Sequence, residues 1–90
     1  MPKIRVKLFA NLREYTKTKE LDMEGDTVND VLVDLCRMFP GLEAMVFKDE
    51  NLHAYLNVFL NGRNILEKEG LKTPLVQNDE IAIFPPVSGG

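Results

Sequence analysis

Thr27-Val28-Asn29-Asp30-Val31-Leu32-Val33-Asp34-Leu35-Cys36-Arg37-Met38-Phe39-Pro40-Gly41 is the stretch around which the rest of the chain must be arranged. At about 100° per residue, Val28, Val31, Leu32, Leu35 and Phe39 fall on one stripe, with Asp30, Val33, Asp34 and Arg37 opposite. The pattern predicts an amphipathic helix with one face on a core. Thr27 offers its hydroxyl to the free amides of the first turn, and Asp30 brings negative charge to the positive helix end. Phe39-Pro40-Gly41 ends the helix, because proline cannot continue it and glycine suits the exit.

On the N-terminal side, Lys3-Ile4-Arg5-Val6-Lys7-Leu8-Phe9 alternates charged and apolar residues with period two, the pattern of a strand with Ile4, Val6 and Leu8 inward. Residues 11–16 are polar and read as a turn. Glu20-Leu21-Asp22-Met23 resumes the alternation as the return strand of a hairpin, with Leu21 and Met23 joining the core, and Gly25-Asp26 stops it. On the C-terminal side, residues 42–47 read as a second short helical turn and residues 48–51 as a polar loop. Tyr55-Leu56-Asn57-Val58-Phe59-Leu60 is the next strand, Asn61-Gly62 a tight hairpin turn, and Arg63-Asn64-Ile65 the start of its return. Residues 67–73 are irregular or briefly helical, 77–79 turn, and Glu80-Ile81-Ala82-Ile83-Phe84 is the last strand, closed by Pro85-Pro86. Two hairpins flanking one long helix predict an α+β plan, a mixed sheet packed on that helix. Its first and last strands can pair at the centre of the sheet, the β-grasp arrangement of ubiquitin, a topology reached partly by analogy.

Ninety residues with 44% hydrophobic and 28% charged side chains describe a single small globular domain, expected over residues 1–85 with a flexible tail over 86–90. A net charge of −3 argues against nucleic-acid binding, which needs a clustered cationic surface. Lys3, Arg5 and Lys7 share one strand face, read as a solvated face or else a docking patch for an acidic partner. Cys36, the single cysteine, has no internal partner for a disulfide and favours a reducing compartment. No apolar run is longer than that of residues 44–47 or 81–84, so neither a signal-peptide core nor a membrane span is expected, and the cytoplasm is the expected location.

The tail carries the chemistry. Pro85 and Pro86 cannot donate ladder hydrogen bonds, so the chain leaves the sheet there. Val87, Ser88, Gly89 and Gly90 add no bulky polar group, and a terminal carboxylate on Gly90 is ionised at neutral pH. Glycine suits a carboxylate that must pass down a narrow channel, because it has no Cβ to clash. Attack by that carboxylate on the α-phosphate of a nucleotide gives an acyl-adenylate, a mixed anhydride open to a sulfur donor or a thiol. The plain alternative is a frayed end or an added segment.

Lys7-Leu8-Phe9-Ala10-Asn11-Leu12-Arg13-Glu14, Asn57-Val58-Phe59-Leu60-Asn61-Gly62 and Asp79-Glu80-Ile81-Ala82-Ile83-Phe84-Pro85-Pro86-Val87-Ser88-Gly89-Gly90 together resemble the MoaD/ThiS family of ubiquitin-like sulfur carriers. The likeness is to the MoaD branch, the small subunit of molybdopterin synthase, and to the small archaeal ubiquitin-like modifiers. It spans essentially the whole chain, and the last block is its specific part. The resemblance implies that an E1-like adenylating enzyme of the MoaB/ThiF/UBA type, using ATP, activates Gly90. Sulfur transfer to a pterin precursor of molybdenum cofactor then follows, with a MoaE-like synthase large subunit as partner, or ligation to lysines of target proteins. Ser88 replaces the Ala or Thr common before the glycines and is equally small.

Strand alternation places Tyr55, Phe59, Ala82 and Phe84 outward, and Phe59 with Phe84 is expected to form an exposed apolar patch near the root of the tail, the alternative being aromatics simply covered by a loop. The resemblance implies that the E1-like enzyme and later partners dock there. Cys36 lies at the edge of the helix stripe and reads as a small hydrophobe or else a thiol with a persulfide role. His53 has no second ligand close in sequence, so no metal site is expected. No serine–histidine or paired-carboxylate arrangement points to a catalytic site of the chain's own, and no bound cofactor is implied. Three functions stay open: a sulfur carrier, a covalent modifier, and a passive β-grasp module.

Overall fold

The computed structural model describes residues 1–49, 51–53 and 56–84. The expected tail residues Pro85, Pro86, Val87, Ser88, Gly89 and Gly90, and the expected outward Tyr55, lie outside them. The chain runs β1 (Lys3–Leu8), α1 (Ala10–Thr16), β2 (Glu20–Glu24), α2 (Val28–Met38), α3 (Glu43–Val46), β3 (Phe47–Lys48), β4 (Asn51–Leu52), β5 (Asn57–Leu60), β6 (Arg63–Asn64) and β7 (Glu80–Phe84). Short 3-10 turns at Ile65–Glu67 and Gly70–Lys72 link β6 to β7.

The five-stranded sheet has the order β2-β1-β7-β5-β6. β1 and β7 run parallel at its centre, Val6 opposite Ile81 and Leu8 opposite Ile83, and the outer pairings are antiparallel. This is the mixed β-grasp sheet expected. Ile4, Val6, Leu8, Val58, Leu60, Ile81 and Ile83 are buried on its inner face, and Val28, Val31, Leu32 and Leu35 of α2 are buried in the same core. Burial of side chains of this kind contributes about 1.5–3 kcal/mol each before conformational entropy is set against it.

The N-terminus of α2 is closed more firmly than a single cap. Thr27 Oγ1 accepts from the Asp30 amide at 3.2 Å, and Asp30 Oδ2 accepts from the Thr27 amide at 3.2 Å. This reciprocal capping box satisfies two of the helix's orphan donors. A second polar node fastens the start of β7. Asp79 Oδ1 accepts from Asn61 Nδ2 and Asp79 Oδ2 from the Val76 amide, both at 2.8 Å, while Asn61 Oδ1 accepts from the Glu80 amide at 3.0 Å. Asn61 and Gly62 have φ of 50° and 85°, the positive values the expected turn requires.

Several elements depart from the sequence reading. Residues 11–16 are not a turn: they belong to α1, which buries Leu12 and Thr16, one helical turn apart, and leaves Arg13 and Glu14 outside. Tyr15, half exposed, donates its hydroxyl to the Pro40 carbonyl and so ties α1 to the end of α2. The expected polar loop at 48–51 contributes instead to the β3–β4 ribbon, with Lys48 opposite Asn51 and Phe47 opposite Leu52. β5 begins at Asn57, and Ile65 turns out of the sheet into a 3-10 turn where it is buried. Leu21 packs against the core but only in part, whereas Met23 is buried.

Candidate functional site

The outer face of the central strands divides into a charged end and an apolar end. At the charged end, Arg5 reaches Glu20 at 3.2 Å and Asp22 at 3.4 Å on β2, and Lys7 reaches Glu80 on β7 at 3.2 Å. Each such exposed pair is worth at most about 1 kcal/mol. The cations of Arg5 and Lys7 are thus engaged by neighbouring carboxylates, which fits the reading of a solvated face.

At the apolar end, β7 delivers Ala82 and Phe84 outward because Ile81 and Ile83 point in. The register sets Phe59 opposite Ala82 and Asn57 opposite Phe84. Phe59 and Phe84 meet as expected, edge to face, with ring centroids 5.5 Å apart and planes at 69°. Among the described residues a third ring, absent from the sequence reading, joins the group. Phe9 stacks on Phe84 with centroids 4.4 Å apart and planes within 10°. The signal for it lay in the same alternation: Lys3, Arg5, Lys7 and Phe9 share parity, so the outer row of β1 ends in an aromatic. Each ring shelters its neighbours, and all three are half-buried rather than fully exposed. Stacked and edge-to-face pairs add about 0.5–1.5 kcal/mol each beyond the area they bury. Phe84 is the last described residue, next in sequence to Pro85.

The remaining candidates stand apart from this cluster. Cys36 is half-buried on α2, and its thiol is pushed up from 9.0 to about 11, first by desolvation and then by the negative charge of Glu43. A thiol held neutral in this way is a poor nucleophile. His53 lies beyond the β3–β4 ribbon, where its amide donates to the Val46 carbonyl at 2.8 Å and its carbonyl accepts from the Leu56 amide at 2.9 Å. Among the described residues no group of three or more His, Cys, Asp or Glu side chains is placed to hold a metal. Among them too, no helix is long and apolar enough to cross a membrane.

Comparison with known proteins agrees with this arrangement. The model of the ThiS family matches residues 6–90. The chain is 35% identical over 88 residues to a putative sulfur carrier protein of Archaeoglobus fulgidus, covering 97% of this chain and 98% of that one. The solution structure of small archaeal modifier protein 1 from Methanosarcina acetivorans superposes with a TM-score of 0.91 at 44% identity, covering 100% of this chain and 98% of that one. A chain of the BexX/CysO complex of Amycolatopsis orientalis superposes with a TM-score of 0.88 at 30% identity, covering 97% of this chain and 99% of that one. With its β-grasp sheet, the chain belongs to the MoaD/ThiS family of ubiquitin-like proteins, which includes sulfur carriers and small archaeal modifiers.

Proposed function

We propose that this protein is a co-substrate whose Gly90 carboxylate is activated by an E1-like adenylating enzyme and converted to a thiocarboxylate that donates sulfur in molybdopterin assembly. The observation that carries the reading is the aromatic cluster of Phe9, Phe59 and Phe84 on the outer sheet face, immediately before Pro85-Pro86-Val87-Ser88-Gly89-Gly90. Residues 1–85 act as the docking body and 86–90 as the reacting tail. A partially covered apolar patch with charge at one end of the same face is a fitting surface for a protein partner, and Phe59 and Phe84 are the side chains assigned to it. The family match extends through Gly90, which supports a role for the tail.

Chemically, one Gly90 carboxylate oxygen attacks the α-phosphorus of ATP and pyrophosphate leaves. A donor at the sulfide level then attacks the carbonyl carbon, the bond to AMP breaks, and AMP leaves with the oxygen. The product thiocarboxylate is a good sulfur nucleophile for a pterin precursor bound by a MoaE-like synthase subunit. ATP is consumed by the partner enzyme.

A second fate is favoured by the likeness to small archaeal modifier protein 1. A lysine amine attacks the same activated carbonyl and leaves an amide. Both fates are tested by incubating the protein with ATP, the E1-like enzyme of the same cell and a sulfide donor, followed by intact-mass measurement. Replacement of one oxygen by sulfur at Gly90 supports the carrier. Branched glycine remnants on lysines of cellular proteins support the modifier. An unchanged mass in every arm leaves a passive module and contradicts the proposal.

A further inference from the structure

β2 stands at one edge of the five-stranded sheet, and among the described residues it pairs with β1 alone. The Leu8 amide donates to the Lys19 carbonyl at 2.9 Å and the Gly25 amide to the Pro2 carbonyl at 3.3 Å. Alternate residues of an antiparallel strand bond to the same neighbour. Lys19, Leu21, Met23 and Gly25 therefore turn their peptide groups to β1, and Glu20, Asp22 and Glu24 turn theirs away from the sheet. An edge presented in this way is a template for one more strand. Beside it, between β2 and α2, runs a groove of about 650 Å³ whose apolar lining is Met1, Met23 and Met38. Met1 and Met38 are exposed, and methionine adapts its shape to varied apolar partners.

We propose that this edge and its groove bind an extended segment of another protein in which cationic and apolar residues alternate, adding a sixth strand to the sheet. The pattern of the occupant is read from β1, which already fills the other side of β2. There Lys3, Arg5 and Lys7 lie opposite Glu24, Asp22 and Glu20, while Ile4 and Val6 are buried on the inner face. Arg5 is shared between Glu20 and Asp22, Lys7 reaches Glu80 instead, and among the described residues no ion pair holds Glu24. The acidic row is thus only partly compensated and takes further cations from its open side. The apolar residues of the added strand point to the opposite face, towards the methionines. A second copy of this chain does not fit. Its β1 is paired on both sides, by β2 and β7, and its β2 would set carboxylates opposite carboxylates. The edge lies across β1 from β7 and Phe84, and the proposal is independent of the chemistry at Gly90.

The test titrates the full chain with a short end-blocked peptide alternating lysine and valine, with backbone amide and methionine methyl NMR signals as the readout. The peptide is expected to shift the amides of Glu20, Asp22 and Glu24 and the methyl signals of Met1 and Met38, and to slow hydrogen exchange at those three amides. A peptide alternating glutamate and valine is expected to bind roughly tenfold or more weakly. Glu24→Lys, at an exposed position, is expected to weaken binding of the lysine peptide severalfold. N-methylation of one alternate set of peptide residues is expected to abolish binding and of the other set to spare it, because an added strand bonds through one side only. Equal affinity for peptides of either charge, or for wild type and Glu24→Lys, overturns the proposal. So do indifference to N-methylation, shifts confined to other surfaces, or no binding of the lysine peptide at millimolar concentration. Dimerisation through the same amides without peptide overturns the choice of occupant.

Discussion

The thiol of Cys36 is pushed up by burial and by Glu43, and this has consequences for its reactivity and for the fold. Its folded pKa lies above the ordinary value, so the stability gained by keeping it neutral is fully present below about pH 9 and is lost as pH rises through about 11. Alkylation by iodoacetamide is expected to be slow at neutral pH and to reach half its limiting rate near pH 11. A half-rate near pH 9, as for an exposed thiol, contradicts this placement. The sequence placed Cys36 at the edge of the helix stripe, where it is found half-buried. Phe59 and Phe84 were legible because strand parity alone decides which face a residue takes. Phe9 was harder to recognise, because its stacking partner comes from the far end of the chain through a parallel pairing that no local pattern announces.

Among the elements, α2 was the most legible. Its stripe spans three turns, its cap is a residue type with a specific role, and its end is marked by Pro40-Gly41. What remained hidden was the return bond that the Thr27 amide donates to the Asp30 carboxylate, which depends on a side-chain rotamer. Thr27→Ala removes the hydroxyl acceptor and is expected to destabilise the fold by about 1 kcal/mol, lowering Tm by roughly 4–8 °C for a domain of this size. Thr27→Ser is expected to melt with the wild type. Equal melting of the alanine variant in calorimetry contradicts a working cap. α1 escaped notice because it is short and only Leu12 and Thr16 mark its buried side, while Asn11, Arg13 and Glu14 look like turn residues. The β3–β4 ribbon escaped for a similar reason: strands of two residues are too short to show alternation.

At the scale of the molecule, the parallel pairing of β1 with β7 joins the beginning of the chain to its end and aligns the charged ends and the aromatic ends of the two outer rows. The sequence order of hairpin, helix, hairpin and final strand was enough to reach that topology with the help of a family likeness. The same pairing puts Phe84 in the middle of the aromatic cluster, one residue before Pro85. Activation at Gly90 is most directly tested by ATP–pyrophosphate exchange with the E1-like enzyme of the same cell. The comparison is between the wild-type protein, a variant lacking Gly90 and one extended by an alanine after it. Exchange is expected with the wild type alone, with all three proteins folding and melting alike. Equal exchange with the shortened or extended chain, without prior processing, or none with the wild type, contradicts the assignment of Gly90 as the activated residue.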